Sequence, residues 1–267
     1  MKNTKMEYAQ EIANAVNGEV KEVTKNNGIV KIGVVVQNNN GIGVTVYVDE
    51  YYENEISVEE AIDMARKTVK EQSNVSFDAS TLSDYAAIKE KIKCKLVNKK
   101  RNTNFTVTRS ARGYGFPDLI IVPYIEVTVG ERTGSITITD DMVKNWGLTK
   151  RTVIDRAIKN TECEIMSLEE KIGLLAPGME VGYTPLKFVS TPNNNNGAIG
   201  IIKAKEKLSE MYPNGYYVIP SSVHEMLVLD AGETDETTIT NMIQDVNEYV
   251  LDEMDYLSDH VYTFNVA

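Results

Sequence analysis

Apolar residues recur every three or four positions in several segments, a spacing that is typical of amphipathic helices. Two of these segments begin with a capping box, Ser57-x-x-Glu60 and Ser167-x-x-Glu170, in which both side chains bond free N–H groups of the first turn. We therefore predict longer helices over 6–16, 58–71, 84–97, 198–211 and 237–254, and shorter ones beginning after Thr139, Thr149 and Ser167.

Other segments alternate between apolar and polar residues or form short β-branched runs, which favours strands. We predict strands over 19–24, 29–36, 42–48, 119–129, 135–139, 179–190, 215–220, 222–229 and 260–266. Asn26-Asn27-Gly28 and Asn38–Gly41 separate the first three, and Asn-Gly supplies the positive φ angles that tight hairpins require. Gly130–Gly134 forms the turn of another predicted strand pair. Since no regular βαβ rhythm is present, we expect an α+β fold with mainly antiparallel sheets, hairpins and meanders, covered by amphipathic helices.

One predicted helix, over 84–97, carries four lysines at alternating positions. Over 84–97, the spacing of Tyr85, Ile88, Ile92 and Leu96 predicts an inner stripe with the lysines outside. The following segment, 98–116, has the weakest periodicity and ends in glycines and Pro117. We accordingly predict a boundary there, between an N-terminal α/β-meander module, 1–115, and a C-terminal α+β module, 116–267.

Composition narrows the class of protein. The 267 residues are 42% apolar and include two cysteines, Cys94 and Cys163, which excludes disordered, collagen-like and disulfide-scaffold classes. The cysteines have no CxxC spacing and no neighbouring histidine, so we expect reduced thiols. No apolar run reaches the roughly 20 residues that cross a bilayer, and the first ten residues do not form a signal peptide. We expect a cytoplasmic protein with no membrane association and no cofactor.

Charge is distributed very unevenly along the chain. The formal net charge is −11, and residues 208–267 contain twelve carboxylates but no Lys or Arg. Such a surface suits a basic protein partner. The opposite pole is the segment 89–112, where Glu90 is the single acid among nine basic residues. Its candidates for phosphate or nucleic-acid binding are Lys99, Lys100, Arg101, Arg109 and Arg112.

Several segments together resemble a bacterial family, the domain of unknown function 5688. They are Asp118–Tyr124, Ser135–Thr139, Asn145–Thr149, Asn196-Gly197-Ala198, Tyr217–Glu225 and Leu257–Tyr262, in collinear order. The resemblance implies a bacterial protein, often encoded among mobile-element genes. It implies no activity, substrate or cofactor.

Both histidines lie in these segments and suggest two kinds of chemistry. If strands 222–229 and 260–266 were neighbours, His224, Glu225, Asp259 and His260 could hold a divalent metal that activates water. Ser221 or Ser222 with His224 could pair a nucleophile with a base, although no oxyanion-hole pattern surrounds them. Ordinary structural roles are the commoner explanation for all of these residues.

Tyrosines beside carboxylates are the strongest candidates for an interaction surface, because a large ring is immobilised at low entropy cost. The candidates are Tyr51, Tyr52, Tyr249, Asp252, Glu253, Asp255 and Tyr256. We interpret the chain as a non-enzymatic interaction module with an acidic C-terminal surface, and as a mobile-element-encoded inhibitor of a host factor. Two alternatives stay open: a metal-dependent hydrolase using His224 and His260, and a nucleic-acid-binding protein using 89–112. The sequence predicts no oligomeric state.

Overall fold

The computed structural model describes residues 4–37, 43–72, 78–129, 132–179 and 182–264. Its helices are α1 (Lys5–Val16), α2 (Asp49–Glu53), α3 (Val58–Gln72), α4 (Tyr85–Ile88), α5 (Asp140–Asn145), α6 (Lys150–Lys159), α7 (Leu168–Leu175), α8 (Ile201–Met211) and α9 (Glu236–Tyr249). Its strands are β1 (Glu19–Thr24), β2 (Val30–Gln37), β3 (Gly43–Tyr47), β4 (Ile92–Asn98), β5 (Arg109–Ser110), β6 (Leu119–Val129), β7 (Arg132–Thr137), β8 (Glu164–Ser167), β9 (Lys187–Ser190), β10 (Tyr216–Ile219), β11 (Met226–Asp230) and β12 (Tyr262–Phe264). This is an α+β fold with mainly antiparallel sheets, as predicted.

The chain forms two compact units. One, the N-terminal unit, comprises residues up to 80 together with 128–134, and the other, the C-terminal unit, comprises 81–127 and the residues from 135 onward. The predicted module boundary at 115/116 lies within the C-terminal unit, where β4 pairs with β6 across it.

The N-terminal unit is the antiparallel meander β1-β2-β3 packed against α1 and α3. Thr24 pairs with Val30 around the Asn-Gly turn, in which Asn27 and Gly28 have φ angles of 60° and 73°. This confirms the first predicted hairpin. The second predicted turn, Asn38–Gly41, lies outside the described residues.

In the C-terminal unit, a five-stranded antiparallel sheet has the order β12-β10-β11-β9-β8, and a second sheet is built from β4, β5 and the parts of β6 and β7 outside residues 128–134. Strand pleating divides the side chains of the five-stranded sheet between two environments. Tyr216 and Val218 enter the main core, whereas Tyr217 and Leu229 form a second apolar cluster on the outer face, which α9 covers in part.

The predicted helix over 84–97 is wrong for most of its length. A helical turn at α4 and a 3-10 turn over Lys89–Lys91 lead into β4, in which Ile92, Cys94 and Leu96 are buried and alternate with lysines. Positions 92 and 96 fit both a helical and a strand period. Pairing with Leu119–Ile125 of β6, a contact distant in sequence, selects the strand.

Other predicted elements in the C-terminal unit exist but are shorter. Of the predicted strand 179–190, the structure forms β9 over Lys187–Ser190, and residues 180–181 lie outside the described ranges. The strand predicted over 222–229 begins at Met226, so His224 lies in the connection between β10 and β11. The strand β8 was not predicted, and it pairs with β9 at the edge of the sheet.

Candidate functional site

Helix α9 covers part of the outer face of the five-stranded sheet. Asp235 begins the helix by accepting a hydrogen bond from the N–H of Thr238 at 3.0 Å. Its buried residues, Ile239 and Ile243, pack in one cluster with Tyr217 and Leu229. This contact fixes which side of α9 faces the sheet.

The apolar stripe of α9 extends well beyond the part that the sheet buries. Met242 is 62% exposed and Val246 is 43% exposed, and beyond them Tyr249 and Val250 are 75% and 78% exposed. Isolated exposed apolar residues are ordinary on protein surfaces, but a continuous group on one helix commonly marks a recognition surface. The helix predicted over 237–254 is therefore amphipathic, and only part of its apolar stripe, Ile239 and Ile243, belongs to the core.

Met242 and Val246 of this exposed stripe contribute to one wall of a groove, which we call the α9 groove. Its other wall is the outer face of the sheet, where Ile219 of β10 pairs with Leu227 of β11 and both remain half-buried. The groove encloses about 340 Å³, within the range of roughly 300–1,000 Å³ found for ligand-binding clefts. Its apolar lining is Leu186, Ile219, Pro220, Leu227, Leu229, Ile239, Met242, Ile243 and Val246.

A second, acidic cleft borders the α9 groove, and α9 contributes residues to both. Asn247 lines both cavities, and its side-chain amide donates to the carbonyl of Ser258 at 2.8 Å. The cleft encloses about 250 Å³ and contains Glu248, Glu253 and Asp259. An apolar groove thus borders a cleft that is rich in carboxylates.

One basic residue from the predicted phosphate-binding segment lies in this acidic cleft. The guanidinium carbon of Arg101 is 3.8 Å from the ring centroid of Tyr256, a cation–π contact. A hydrogen bond with His260 lowers the pKa of Asp259, and Lys100 adds to this effect. The acidic and basic poles of the sequence therefore meet locally, and Arg101 offsets part of the negative charge in the cleft.

The remaining predicted interaction residues have different surroundings. Tyr51 and Tyr52 are half-buried against the core of the N-terminal unit. Asp252 is exposed and accepts from the N–H of Met254 at 2.8 Å. Asp255 is half-buried beside His224, so Glu253 and Tyr256 are the candidates that line the cleft, and Tyr249 is exposed at the end of α9.

Of the other basic candidates, Lys99 and Lys100 are exposed after β4, and Arg112 is exposed in the 3-10 turn after β5. Arg109 forms an ion pair with Asp155 at 2.7 Å. A role for these residues in nucleic-acid binding stays a prediction.

The two histidines have separate partners. Nε2 of His224 lies 3.4 Å from Asp255 Oδ1, and hydrogen bonding to that carboxylate raises the pKa of His224. His260 lies 3.1 Å from Asp259 and 3.8 Å from Asp118. The condition for the metal hypothesis is not met, because β10 separates β11 from β12. Among the described residues, no group of three or more His, Cys, Asp or Glu side chains could hold a metal ion.

Ser222 is engaged in a local turn. Its hydroxyl donates to Glu225 Oε1 at 2.7 Å and accepts from the N–H of His224 at 3.0 Å. The ring of His224 instead contacts Asp255 and accepts from the N–H of Asn196. In this arrangement the serine hydroxyl bonds a carboxylate rather than the imidazole that would serve as its base.

Both cysteines are free thiols. Cys94 is buried and Cys163 is half-buried, and burial raises the pKa of each to about 11. Neither is activated as a nucleophile at neutral pH.

The fold and its surfaces define an α+β protein with an apolar helix–sheet groove beside an acidic cleft. The chain belongs to the family of unknown function DUF5688, whose family model matches residues 1–266. No curated protein and no solved structure matches the chain. Among the described helices, none is long and apolar enough to span a bilayer.

Proposed function

We propose that this protein is a non-enzymatic interaction module whose α9 groove binds a cationic amphipathic helix of a partner protein. The observation that carries the proposal is the exposed half of the α9 stripe, Met242 and Val246, which faces an open apolar wall on the sheet. Binding of an amphipathic helix in an apolar groove is a recurring mode of peptide recognition, with anchors at i, i+3, i+4 and i+7.

Charge complementarity supports a basic partner. Residues 208–267 carry twelve carboxylates without Lys or Arg, and Asp245 and Glu248 are exposed on α9 itself. Glu253 and Asp259 extend the negative charge into the acidic cleft. A partner with apolar anchors flanked by Lys or Arg would be steered toward this surface, and its association rate would fall as salt rises.

The proposal assigns apolar contacts the main share of the affinity. Burying a Met or Val side chain contributes about 1.5–3 kcal/mol, whereas an exposed ion pair contributes about 0–1 kcal/mol. The carboxylates then select the partner and set the rate of encounter. An inhibitor of a host factor would use the groove to occupy that factor's cationic helix.

The experiment measures binding of a fluorescein-labelled helical peptide of about 18 residues, with leucines at i, i+3, i+4 and i+7 and lysines elsewhere. A scrambled peptide of the same composition keeps the charge and loses the apolar face. Met242→Gln is neutral and nearly isosteric, and Met211→Gln is the matched control at another exposed methionine of the C-terminal unit, 39% exposed on α8.

We expect fluorescence anisotropy to show saturable binding of the helical peptide that Met242→Gln weakens about tenfold, equivalent to about 1.4 kcal/mol. Met211→Gln should bind like the wild type. Equal binding of the scrambled peptide would mean that charge alone recognises the ligand. Either that result or unchanged affinity in Met242→Gln contradicts the proposal.

A further inference from the structure

A second cavity, which we call the polar pocket, lies in the C-terminal unit, away from α9. It is bounded by β4, β6, the segment that follows α6 and residues 193–196, which we call the Asn loop, and it encloses about 170 Å³. The residues that give it chemical character are Lys93, Tyr124, Glu126, Glu162, Asn193 and Asn195. Since a water molecule occupies about 30 Å³ in the liquid, the pocket suits a small metabolite rather than a nucleotide.

The sheet brings opposite charges into this pocket. Lys93 of β4 is paired directly with Tyr124 of β6, so their side chains share one face, and Glu126 lies two residues further along on that same face. Glu162 approaches from the segment that follows α6. Within the part of the chain that the structure describes, no ion pair joins Lys93 to Glu126 or Glu162. A cation and two carboxylates therefore line one cavity without a direct ion pair between them.

The polar groups retain bonding capacity. The ammonium of Lys93 donates to the carbonyl of Asn160 at 3.2 Å and has three N–H groups in all. Glu126 Oε2 accepts from the side-chain amide of Asn193 at 3.3 Å, and a carboxylate can accept several such bonds. Burial raises the pKa of Tyr124 to about 12, so its hydroxyl remains a neutral donor near pH 7.

The Asn loop has a well-defined conformation. Asn194 and Asn196 adopt left-handed φ angles of 52° and 53°. The hydroxyl of Ser190 lies 2.6 Å from Asn194 Oδ1 and 2.8 Å from the carbonyl of His224, and Asn193 Oδ1 accepts from the N–H of Asn195 at 3.3 Å. Because these hydrogen bonds already order the loop, binding of a small ligand costs less conformational entropy.

We infer that the polar pocket binds a free α-amino acid with a small side chain, its carboxylate on Lys93 and its ammonium between Glu126 and Glu162. A zwitterion carries one charge of each sign, and the lining of this pocket supplies a partner for each. The lining carries one positive and two negative groups, so the ammonium end has the larger number of partners. This site is distinct from the α9 groove and does not depend on the proposed function.

The test is isothermal titration calorimetry of the full chain with each of the twenty amino acids. The same ligand is then offered with one end blocked, as the N-acetyl derivative and as the amide. We expect saturable binding of at least one small amino acid and a loss of tenfold or more for each blocked form, because each removes one charge that the pocket recognises. Absence of binding by every amino acid with a small side chain at about 10 mM, a concentration that would occupy most sites at a Kd of about 1 mM, overturns the inference.

Variants assign the two ends of the ligand. Lys93→Met and Glu126→Gln should each reduce affinity at least tenfold, whereas Lys99→Met, at an exposed lysine after β4, should have no effect. Equal effects of Lys93→Met and Lys99→Met would contradict the site. Because the blocked ligands are tested on the wild-type chain, the result does not depend on the folding of the variants.

Discussion

Gly197, which follows the Asn loop, is a position where one methyl group should have a large effect. A Cβ atom built there would collide with Ser190 Oγ and the carbonyl oxygen of His224, and would lie 2.9 Å from the backbone nitrogen of Thr191. Two of these three atoms belong to the backbone and cannot rotate away. Gly197→Ala must therefore displace the Asn loop or the His224 connection.

The expected loss of stability follows from overpacking at this position. Extra methyl groups in packed regions cost about 1–3 kcal/mol, and we expect the upper end, about 3 kcal/mol of unfolding free energy, because backbone must move. At about 2–4 °C per kcal/mol for a domain of this size, the melting temperature should fall by about 6–12 °C. Displacement of the Asn loop should also weaken amino-acid binding in the polar pocket.

Thermal melts followed by circular dichroism measure the effect. Gly113→Ala is the matched control, because a Cβ atom at that glycine would meet nothing within 4 Å. We expect the control to melt within about 2 °C of the wild type, since changes at uncrowded surface sites rarely exceed about 0.5 kcal/mol. A Gly197→Ala protein that melts with the control would refute the steric argument.

Three further predictions concern stability and reactivity. The ion pair with Asp255 raises the pKa of His224, so the pair stabilises the fold below the unfolded-state pKa of about 6.5, and this stabilisation is lost as pH rises through the folded-state pKa. Asp255→Asn should therefore lower the unfolding free energy, measured by urea titration, more at about pH 5.5 than at about pH 9. Equal losses at the two pH values would contradict this reasoning. Cys94 and Cys163, whose pKa values burial raises to about 11, should react much more slowly with a thiol reagent at about pH 8 in the native than in the denatured protein, and equal rates would show that they are accessible. Ile92→Ala should cost about 2–5 kcal/mol of unfolding free energy because the side chain is fully buried, and a loss under about 1 kcal/mol would argue against that burial.

Signals local in sequence predicted much of the fold. The capping box at Ser167 begins α7, Thr139 and Thr149 begin α5 and α6, and the turn at Asn27 joins β1 to β2. Each depends on hydrogen bonds or φ angles among residues a few positions apart. Such contacts are determined before the chain has a tertiary structure, so the sequence is sufficient to find them.

Elements that depend on distant partners were harder to predict. In β4 the apolar spacing fits a helix, and the deciding contact is the pairing of Ile92–Asn98 with β6. The alternation of Lys93 and Lys95 with buried residues was the available signal for a strand. The four residues of β8 are all half-buried. Because the two faces of this strand are equally exposed, its sequence needs no alternation of apolar and polar residues that would indicate a strand.

The geometry of the candidate site also depends on contacts that are distant in sequence. The sequence predicted a helix over 237–254 and an acidic C-terminal region, but it could not show that the sheet covers Ile239 and Ile243 and leaves Met242 and Val246 open. That division depends on how α9 packs against Tyr217 and Leu229 of the sheet, which are distant in sequence from part of the helix. The pairing of Arg101 with Tyr256 likewise joins segments more than a hundred residues apart.

The most direct test of the proposed function is methyl NMR of the protein labelled at its methionine methyl groups, titrated with the cationic amphipathic peptide. Met242 lines the α9 groove, and Met211 lies on α8 and serves as the internal reference. We predict that the Met242 signal shifts and saturates with the peptide while the Met211 signal stays in place. An unmoved Met242 signal under saturating peptide, or equal shifts of both, would contradict binding in the groove.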